Sequence, residues 1–284
     1  MKQIFMQHYP KYKKGFLDEE KYHLAYIAKI TEEDSCYSRC MHCHEDILEI
    51  SLILDGQETY FVDGNYYHIK KGDIFICGQN VMHQEGHTPP SICLGLKNFH
   101  IPKKILPKHF LITSCLNDTE VFNSLTDIAN LAYDLLKKKD VSTDHLANQI
   151  VCSAIIPEII NAIGDAPIAN QFETKKPMIS GVKDYIDTNY RSIPNIQFLT
   201  KNVNISQSYL DHQFQNEYKC SPLTYLNSRR IGEAQTLLIM RPGLPITQIA
   251  FEVGFKTLSH FNHYFKDLSG ISPLKFRQEY THIE

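Results

Sequence analysis

The chain has 284 residues, of which 43% are hydrophobic and 21% are charged, and its formal net charge is −3. These values are typical of an ordinary soluble protein with a sizeable core, and the length favours two domains of about 100 to 200 residues each. No uninterrupted apolar run approaches the roughly 18 residues of a membrane span, and the N-terminus lacks a signal-peptide core. We therefore predict a cytoplasmic protein with no membrane partner, whose eight cysteines are reduced thiols.

The first part of the chain has the pattern of short β-strands. Runs rich in Ile, Leu, Tyr, Phe and Val are separated by hairpin-type turns at Asp55-Gly56, Asp63-Gly64-Asn65 and Lys71-Gly72. Strands this short and this regularly spaced are typical of an all-β barrel or sandwich. The predicted strands cover residues 47–54, 59–62, 66–69 and 73–77.

Histidine and carboxylate residues accompany these strands. The spacing His42-x-His44, then Glu49 after four residues and Gly56 after six more, resembles the first motif of the cupin superfamily. Gly72 and His83 resemble the second, although Gly78 and Asn80 stand where proline and glycine are usual. The resemblance implies a jelly-roll sensor domain.

In metal-binding cupins the four positions occupied here by His42, His44, Glu49 and His83 carry the metal. Imidazoles with one carboxylate suit Zn, Fe, Ni or Mn, although no cofactor is certain from the sequence. Alternatively, the same pocket residues hydrogen-bond a small organic effector such as a sugar, or pack at the mouth of the barrel. A second candidate ligand set is formed by Cys36, Cys40 and Cys43, as a thiolate site or a redox switch.

From residue 118 to 164 the apolar period changes to that of helices. One stripe ends in three lysines, Lys137 to Lys139, a favourable charge for a helix C-terminus. A second helix follows, and Pro157 is expected to kink it. These helices must bury their apolar faces, either on their own barrel or on a second copy of the chain; we expect a homodimer. Residues 165–176 are polar and lack periodicity, so they are predicted to form the interdomain linker.

The last part of the chain contains one helical pattern twice, at an offset of 51 residues. Tyr209 to Phe214 leads to Ser221-Pro222, and His260 to Phe265 leads to Ser272-Pro273. Each copy reads as helix, tight turn, helix, with Ser206 and Thr257 as predicted caps of the second helices. Two helices joined by a short turn, the second with a polar outer face, are typical of DNA-binding helix-turn-helix units.

The runs 230–238, 246–255, 259–266 and 270–273 closely resemble the signature of the AraC family of transcriptional regulators. The resemblance implies that outward residues of both second helices contact bases and phosphates of promoter DNA, in adjacent major-groove segments. In the first copy Lys219 stands where the second has Gly270, so the first unit is expected to be the less stable reader. The DNA-contacting residues implied are Ser208, Asp211, His212, Gln215, Ser259, Asn262, His263 and Lys266.

We therefore predict an α+β multidomain protein. It has an N-terminal β jelly roll of the cupin type with a helical connector, and a C-terminal all-α domain with two helix-turn-helix units. The predicted boundaries are 1–117 for the sensor domain, 118–164 for the connector, 165–176 for the linker and 177–284 for the DNA-binding domain. The predicted function is an effector-responsive, non-enzymatic regulator, with contact to RNA polymerase as a further expectation. The alternative is a cupin metalloenzyme, of the dioxygenase or isomerase type, with a DNA-binding appendage.

Overall fold

A computed structural model describes residues 2–7, 22–33, 37–99, 101, 110–114, 119–165 and 179–281. In its N-terminal part the described residues form ten strands, arranged as two antiparallel sheets. The six-stranded sheet has the order β1-β2-β9-β4-β7-β10, and the four-stranded sheet has the order β3-β8-β5-β6. The strands are β1 Lys2–Phe5, β2 His23–Ile30, β3 Arg39–His42, β4 Ile47–Ile53, β5 Gln57–Val62, β6 Asn65–Lys70, β7 Ile74–Cys77, β8 His83–Glu85, β9 Ser91–Lys97 and β10 Phe110–Thr113.

The four strands predicted from hydrophobic runs are confirmed as β4 to β7, to within two residues at each end. Between β5 and β6, Asp63 and Gly64 have φ values of 46° and 90°, which is the tight hairpin turn that an Asp-Gly pair favours. All seven residues of β4 are buried, because both faces of its sheet are covered. One face meets the four-stranded sheet in a shared core that includes Tyr60 and Phe75, and helices cover the other.

Those helices are the predicted connector. They are α1 Thr119–Leu136, α2 Val141–Ile150 and α3 Ile156–Asp165, with a π-helical segment, Val151–Ile155, between the last two. The irregular segment directly precedes Pro157, whose missing N–H interrupts the regular hydrogen-bond ladder. The linker predicted at 165–176 falls almost wholly outside the described residues, so the domain boundaries remain predictions.

The connector packs on its own sheet, but part of its apolar surface is left exposed. Leu125, Ala132 and Leu135 of the predicted α1 stripe are buried against the sheet. Val121 and Leu131, from the same stripe, are exposed. Packing on the barrel therefore buries only part of the apolar stripe of α1.

One helical stretch of 23 residues, Val141–Ile163, is long and apolar enough to cross a membrane by length and composition alone. The sequence shows no unbroken apolar run there because Asp144 and Glu158 interrupt it. Its apolar residues Val151, Ile155 and Ile159 are fully buried in the core beneath the six-stranded sheet. With 39% of its most apolar window buried, this helix packs partly on the sheet, and a single helix of this kind is weak evidence for a membrane.

The C-terminal part is all-helical, and the predicted repeat is confirmed as two similar helix pairs, α5 with α6 and α8 with α9. Between them, the long helix α7 packs against both pairs and lies along β3 of the sensor domain. The helices are α4 Ser180–Asn189, α5 Ile196–Val203, α6 Gln207–Tyr218, α7 Pro222–Met240, α8 Ile246–Glu252, α9 Leu258–Ser269 and α10 Pro273–Thr281.

Candidate sensor site and candidate nucleic-acid interface

The four predicted metal-binding side chains meet between the two sheets. His42 ends β3 and lies opposite His83, the first residue of β8, with ring centroids 4.1 Å apart. Glu49 approaches from β4 in the other sheet, and His44 follows β3 by two residues. One ligand atom from each of the four side chains lies within 4.8 Å of all the others. Residues separated by up to 41 positions in sequence thus form one cluster.

Backbone carbonyls orient two of the histidine rings. Nδ1 of His42 is 2.8 Å from the carbonyl oxygen of Cys40, and Nδ1 of His83 is 3.0 Å from that of Val81. A carbonyl oxygen can only accept a hydrogen bond, so each ring carries a proton on Nδ1. Nε2 of each ring is therefore the nitrogen available to a metal ion, the arrangement typical of histidine ligands in metal sites.

The Glu49 carboxylate faces two ring nitrogens without a hydrogen bond to either. Its oxygens lie 3.3 Å from Nε2 of His44 and 3.3 Å from Nε2 of His83. Both nitrogens are buried, and within the described residues neither makes a hydrogen bond of good geometry, although the distances suit ion pairs. The Tyr26 hydroxyl donates to Glu49. Either a proton on a histidine ring or a metal ion would supply the positive charge that this arrangement of nitrogens and carboxylate favours.

The pKa values of the side chains in the cluster depend on their burial and on the charges of their neighbours. Burial would raise the pKa of Glu49, but His44 and His83 beside it hold that pKa well below its usual range. Burial, reinforced by His83, lowers the pKa of His42 well below the ordinary value. Burial also disfavours the imidazolium of His83, yet Cys77 and Glu49 raise its pKa well above the ordinary value. The cluster thus favours an ionised carboxylate, a neutral His42 and, with no metal ion bound, a protonated His83.

The donor set fits a first-row transition metal. Opposite ligands of one such ion are roughly 4 Å apart, slightly less than the largest separation in the cluster. Three imidazoles and one carboxylate suit Zn, Fe, Ni or Mn, and fewer than six protein ligands leave positions for a small molecule. The orphaned Nε2 atoms are what a bound ion would satisfy.

Arg39 belongs to the same site, although its place there was not predicted from the sequence. Its side chain is only 6% exposed, and Nη1 has no hydrogen-bond partner in the part of the chain that the structure describes. Strict strand alternation places Arg39 and His42, three residues apart, on opposite faces. However, β3 pairs Arg39 with Glu85 and His42 with His83, so one extra residue forms a bulge between them. As a result, Arg39 and His42 line one cavity.

That cavity is small, and it adjoins a larger cleft. The enclosed space beside the cluster is about 30 Å³, enough for an ion with a water molecule or two but not for a sugar. A cleft of about 420 Å³ lies between the barrel and α7, and it is lined by Tyr26, Arg39 and His44, which also line the cavity. Arg229 and Glu233 of α7 form part of its opposite wall.

Both second helices of the repeat begin at the predicted caps. Ser206 Oγ accepts a hydrogen bond from the N–H of Tyr209 at 3.2 Å, and Thr257 Oγ1 accepts from the N–H of His260 at 3.3 Å. These bonds satisfy N–H groups that a helix leaves free at its first turn. The caps therefore set where α6 and α9 start, and with that which side chains face outward.

The apolar stripes of α6 and α9 are buried, as the pattern predicts. Leu210 and Phe214 pack inward from α6, and Phe261 and Phe265 do so from α9. Among the predicted DNA-contacting residues, Asp211 is half-buried. The others are exposed and thus available to a partner: Ser208, His212, Gln215, Ser259, Asn262, His263 and Lys266. Contact with DNA remains a prediction for all eight.

Comparison with known proteins gives the family. Residues 22–145 match the AraC-like ligand binding domain, and residues 199–279 match a helix-turn-helix domain. The Msm operon regulatory protein of Streptococcus mutans is 35% identical over 242 residues, which cover 81% of this chain and 84% of that protein. The chain belongs to the AraC family of transcriptional regulators.

Other relatives of this AraC-family regulator agree. The lactose operon transcription activator of Staphylococcus xylosus is 25% identical over 82% of this chain and 84% of its own length. Among solved structures, unsaturated fatty acid bound ToxT from Vibrio cholerae covers 93% of this chain and 96% of its own, with 15% identity and a TM-score of 0.44. Both matched domains and the named relatives are those of a transcription regulator and not of an enzyme.

The structure describes two of the three cysteines in the alternative ligand set of this AraC-family chain, Cys40 and Cys43. Cys40 Sγ lies 3.7 Å from the carbonyl oxygen of Leu268 in α9, away from the histidines. Cys43 packs beside the helices of the first DNA-binding unit. Cys36 lies outside the described residues. Among the cysteines that the structure describes, Cys77 lies 3.3 Å from His83 and Cys93 lies 3.7 Å from Glu49.

Proposed function

We propose that the protein is an effector-responsive regulator whose two helix-turn-helix units bind adjacent major-groove segments of promoter DNA. The observation that carries the proposal is the pair of capped helices, α6 and α9, each with its apolar stripe buried and a polar face exposed. Asn and Gln can each form two hydrogen bonds with adenine, and Lys meets guanine or phosphate. From Pro177 onward Lys and Arg outnumber Asp and Glu only by 11 to 9, so recognition must rest on particular contacts.

A promoter-binding titration at fixed salt tests this assignment. The double substitution His263→Ala with Gln215→Ala removes one outward side chain from each reading helix and should weaken specific binding by several-fold or more. The matched control is His260→Ala with Glu217→Gln, since both residues are exposed on the same two helices but point away from the predicted reading faces. Unchanged binding by the first pair would overturn the assignment of the reading faces.

We propose further that the sensor domain holds a transition metal ion at His42, His44, Glu49 and His83. The support is the pair of buried Nε2 atoms that face Glu49 without a hydrogen bond. When bound, the ion would supply the positive charge that this arrangement requires. Metal analysis of the purified, reloaded protein should give one ion per chain, and the absence of stoichiometric metal would remove the metal from the proposal.

We place the small-molecule effector in the cleft between the barrel and α7, and propose a sugar as its class. The cavity inside the barrel is too small for a sugar, whereas the cleft of about 420 Å³ has the volume. Planar polar side chains such as Arg39 and Glu233, with Phe5 beside them, suit hydroxyl groups and a sugar ring face. The name of the Staphylococcus xylosus relative agrees with this class. Calorimetric titration with a panel of mono- and disaccharides tests it, and no binding by any of them would overturn the sugar.

The assembly that we propose is a cytoplasmic homodimer joined through the connector helices, which contacts RNA polymerase at its promoters. Large apolar side chains that the sheet leaves uncovered support the dimer: Val121, Leu131, Val141 and Leu146. Large apolar side chains that remain exposed on helices are often covered by a second subunit when they lie together. Sedimentation velocity of the full chain at micromolar concentration tests this assembly.

A further inference from the structure

Helix α7 covers the free edge of β3. In the four-stranded sheet β3 is an edge strand, with β8 as its neighbour, and its other side faces α7. The N–H of Cys40 donates to Oε1 of Gln235 at 2.9 Å, and the N–H of Met41 donates to Oγ of Ser228 at 3.4 Å. Side chains of the helix thus take the place of a neighbouring strand, which is one way in which proteins cover a sheet edge.

A glycine lets the helix come this close. Gly232 lies one turn after Ser228 on the same face of α7, and a Cβ at this position would lie 2.0 Å from the carbonyl oxygen of Met41. No other amino acid fits there without moving β3. Glycine inside a helix costs about 1 kcal/mol relative to alanine. The close approach of β3 explains why glycine occupies this position despite that cost.

The same strand carries a ligand of the proposed metal site. The ring of His42 donates from Nδ1 to the carbonyl oxygen of Cys40. The Cys40 residue is therefore bound on its N–H by α7 and on its carbonyl by the cluster. The bulge of β3 lies at this place, between Arg39 and His42. A bulged edge strand has fewer ladder hydrogen bonds to hold it, so its position depends strongly on these two attachments.

Helix α7 connects β3 to both DNA-binding units. Arg230 of α7 donates to the carbonyl oxygens of Tyr190 and Ile193, which lead into the first unit. Gln235 donates from Nε2 to Oγ of Ser269, the last residue of α9, at 2.9 Å. With α7 docked on β3, the orientation of α6 and α9 relative to the sensor domain is set.

We propose that β3 is a switch strand that couples occupation of the metal cluster to the docking of α7. This inference rests on the metal site proposed above. The four ligand atoms are close together in the arrangement in which α7 is docked, so a bound ion favours docking. By thermodynamic linkage, loss of docking must weaken metal binding by the same factor. The sensor domain thereby holds the two reading helices in one relative orientation when metal is bound.

The test is Zn²⁺ affinity, measured on the full chain by competition with a chromophoric chelator. Gly232→Ala adds one methyl group at the docking contact, touches no ligand, and should weaken Zn²⁺ binding at least fivefold. The matched control is Gly181→Ala. Gly181 also lies in a helix, and a Cβ added there would have no atom within 4 Å. This variant should bind Zn²⁺ like the unchanged chain. Because alanine favours helix over glycine, weaker binding by Gly232→Ala cannot be attributed to a less stable α7.

The outcomes separate the two proposals. If the unchanged chain takes up no Zn²⁺, the metal site and the switch are both overturned. If the unchanged chain and Gly232→Ala bind Zn²⁺ equally, the switch alone is overturned and the metal site stands. Should Gly232→Ala fail to fold by circular dichroism, the double variant Ser228→Ala with Gln235→Ala removes the helix side chains that bind β3, with the same expected loss and the same overturning result.

Discussion

Glu49 supplies the negative charge of the cluster, and at the scale of single residues it decides whether a cation is held. Its carboxylate lies 3.3 Å from the facing nitrogens of His44 and His83, and the Tyr26 hydroxyl donates to it. A cation there satisfies three groups at once. Without a metal ion, a proton on His83, whose pKa Cys77 and Glu49 raise, is what balances the carboxylate.

Glu49→Gln keeps the shape of the side chain and removes its charge. Metal at 100 times its Kd should raise the free energy of unfolding of the unchanged protein by about 2.7 kcal/mol. For Glu49→Gln at the same metal concentration we expect less than half of that gain in chemical denaturation. Glu45→Gln, an exposed neighbour, is the control and should keep the full gain. Equal stabilisation of all three proteins would show that Glu49 does not hold the ion.

Arg39 poses the opposite problem, a buried positive charge with an unpartnered nitrogen. Burial of a charge without compensation destabilises a fold. Arg39→Met retains most of the apolar volume and should raise the free energy of unfolding of the effector-free protein by about 1 kcal/mol or more. The variant should also lose saccharide binding, since Arg39 lines the cleft.

Thermal denaturation and calorimetric titration of the same preparations measure both effects. Lys71→Met removes an exposed cation of the sensor domain and serves as control; it should alter neither quantity, because surface ion pairs contribute little. A destabilised Arg39→Met protein would show instead that the guanidinium has a partner within the chain.

At the scale of elements, the two reading helices are built alike but end differently. α6 ends at Lys219 with a φ of 57°, and α9 ends at Gly270 with a φ of 79°. Both are left-handed caps, a conformation that glycine adopts freely and lysine does not. Lys219 recovers part of the difference because its Nζ donates to the carbonyl oxygen of Asn216 at 2.8 Å.

Lys219→Gly should therefore stabilise the protein, by up to about 1 kcal/mol, through relief of the left-handed backbone. The reciprocal change, Gly270→Lys, should destabilise it by a similar amount, although its Cβ would meet no atom within 4 Å. Urea denaturation of the full chain measures both variants. If neither changes the midpoint, the unequal caps do not explain a difference in stability between the two units.

At the scale of the whole molecule, the connector helices offer a surface for a second copy. Leu131 is 54% exposed on α1 and Leu146 is 45% exposed on α2, although the sheet buries most of their apolar neighbours. Exposed leucines on helices that already pack on one side favour an interface on the other.

Leu131→Glu together with Leu146→Glu should convert the homodimer to monomers, since charges at an apolar interface are desolvated without partners. Sedimentation velocity at micromolar concentration measures the change. Leu274→Glu places the same charge on α10, at a leucine that is 53% exposed, and should leave the dimer intact. A double variant that stays dimeric would place the interface elsewhere, and an unchanged protein that is monomeric would exclude the homodimer under these conditions.

Features that depend on residues close together in the sequence could be predicted from the sequence alone. The caps Ser206 and Thr257, the turn at Asp63-Gly64 and the doubled helix pair follow from residue types at short spacings, because capping and turn geometry are local. The four metal-ligand candidates could be predicted as well, because their spacing resembles that of the cupin motifs.

Tertiary structure decided the rest. A bulge in β3 turned Arg39 toward His42, against the alternation that a regular strand would follow. The role of Gly232 depends on a strand almost 200 residues earlier in the chain, so no local sequence pattern predicts it. Register, bulges and the approach of one domain to another are set by the packing of distant residues. The sequence by itself thus determined the two kinds of domain and their chemistry, and only the tertiary structure joined the sensor cluster to the helices that are proposed to bind DNA.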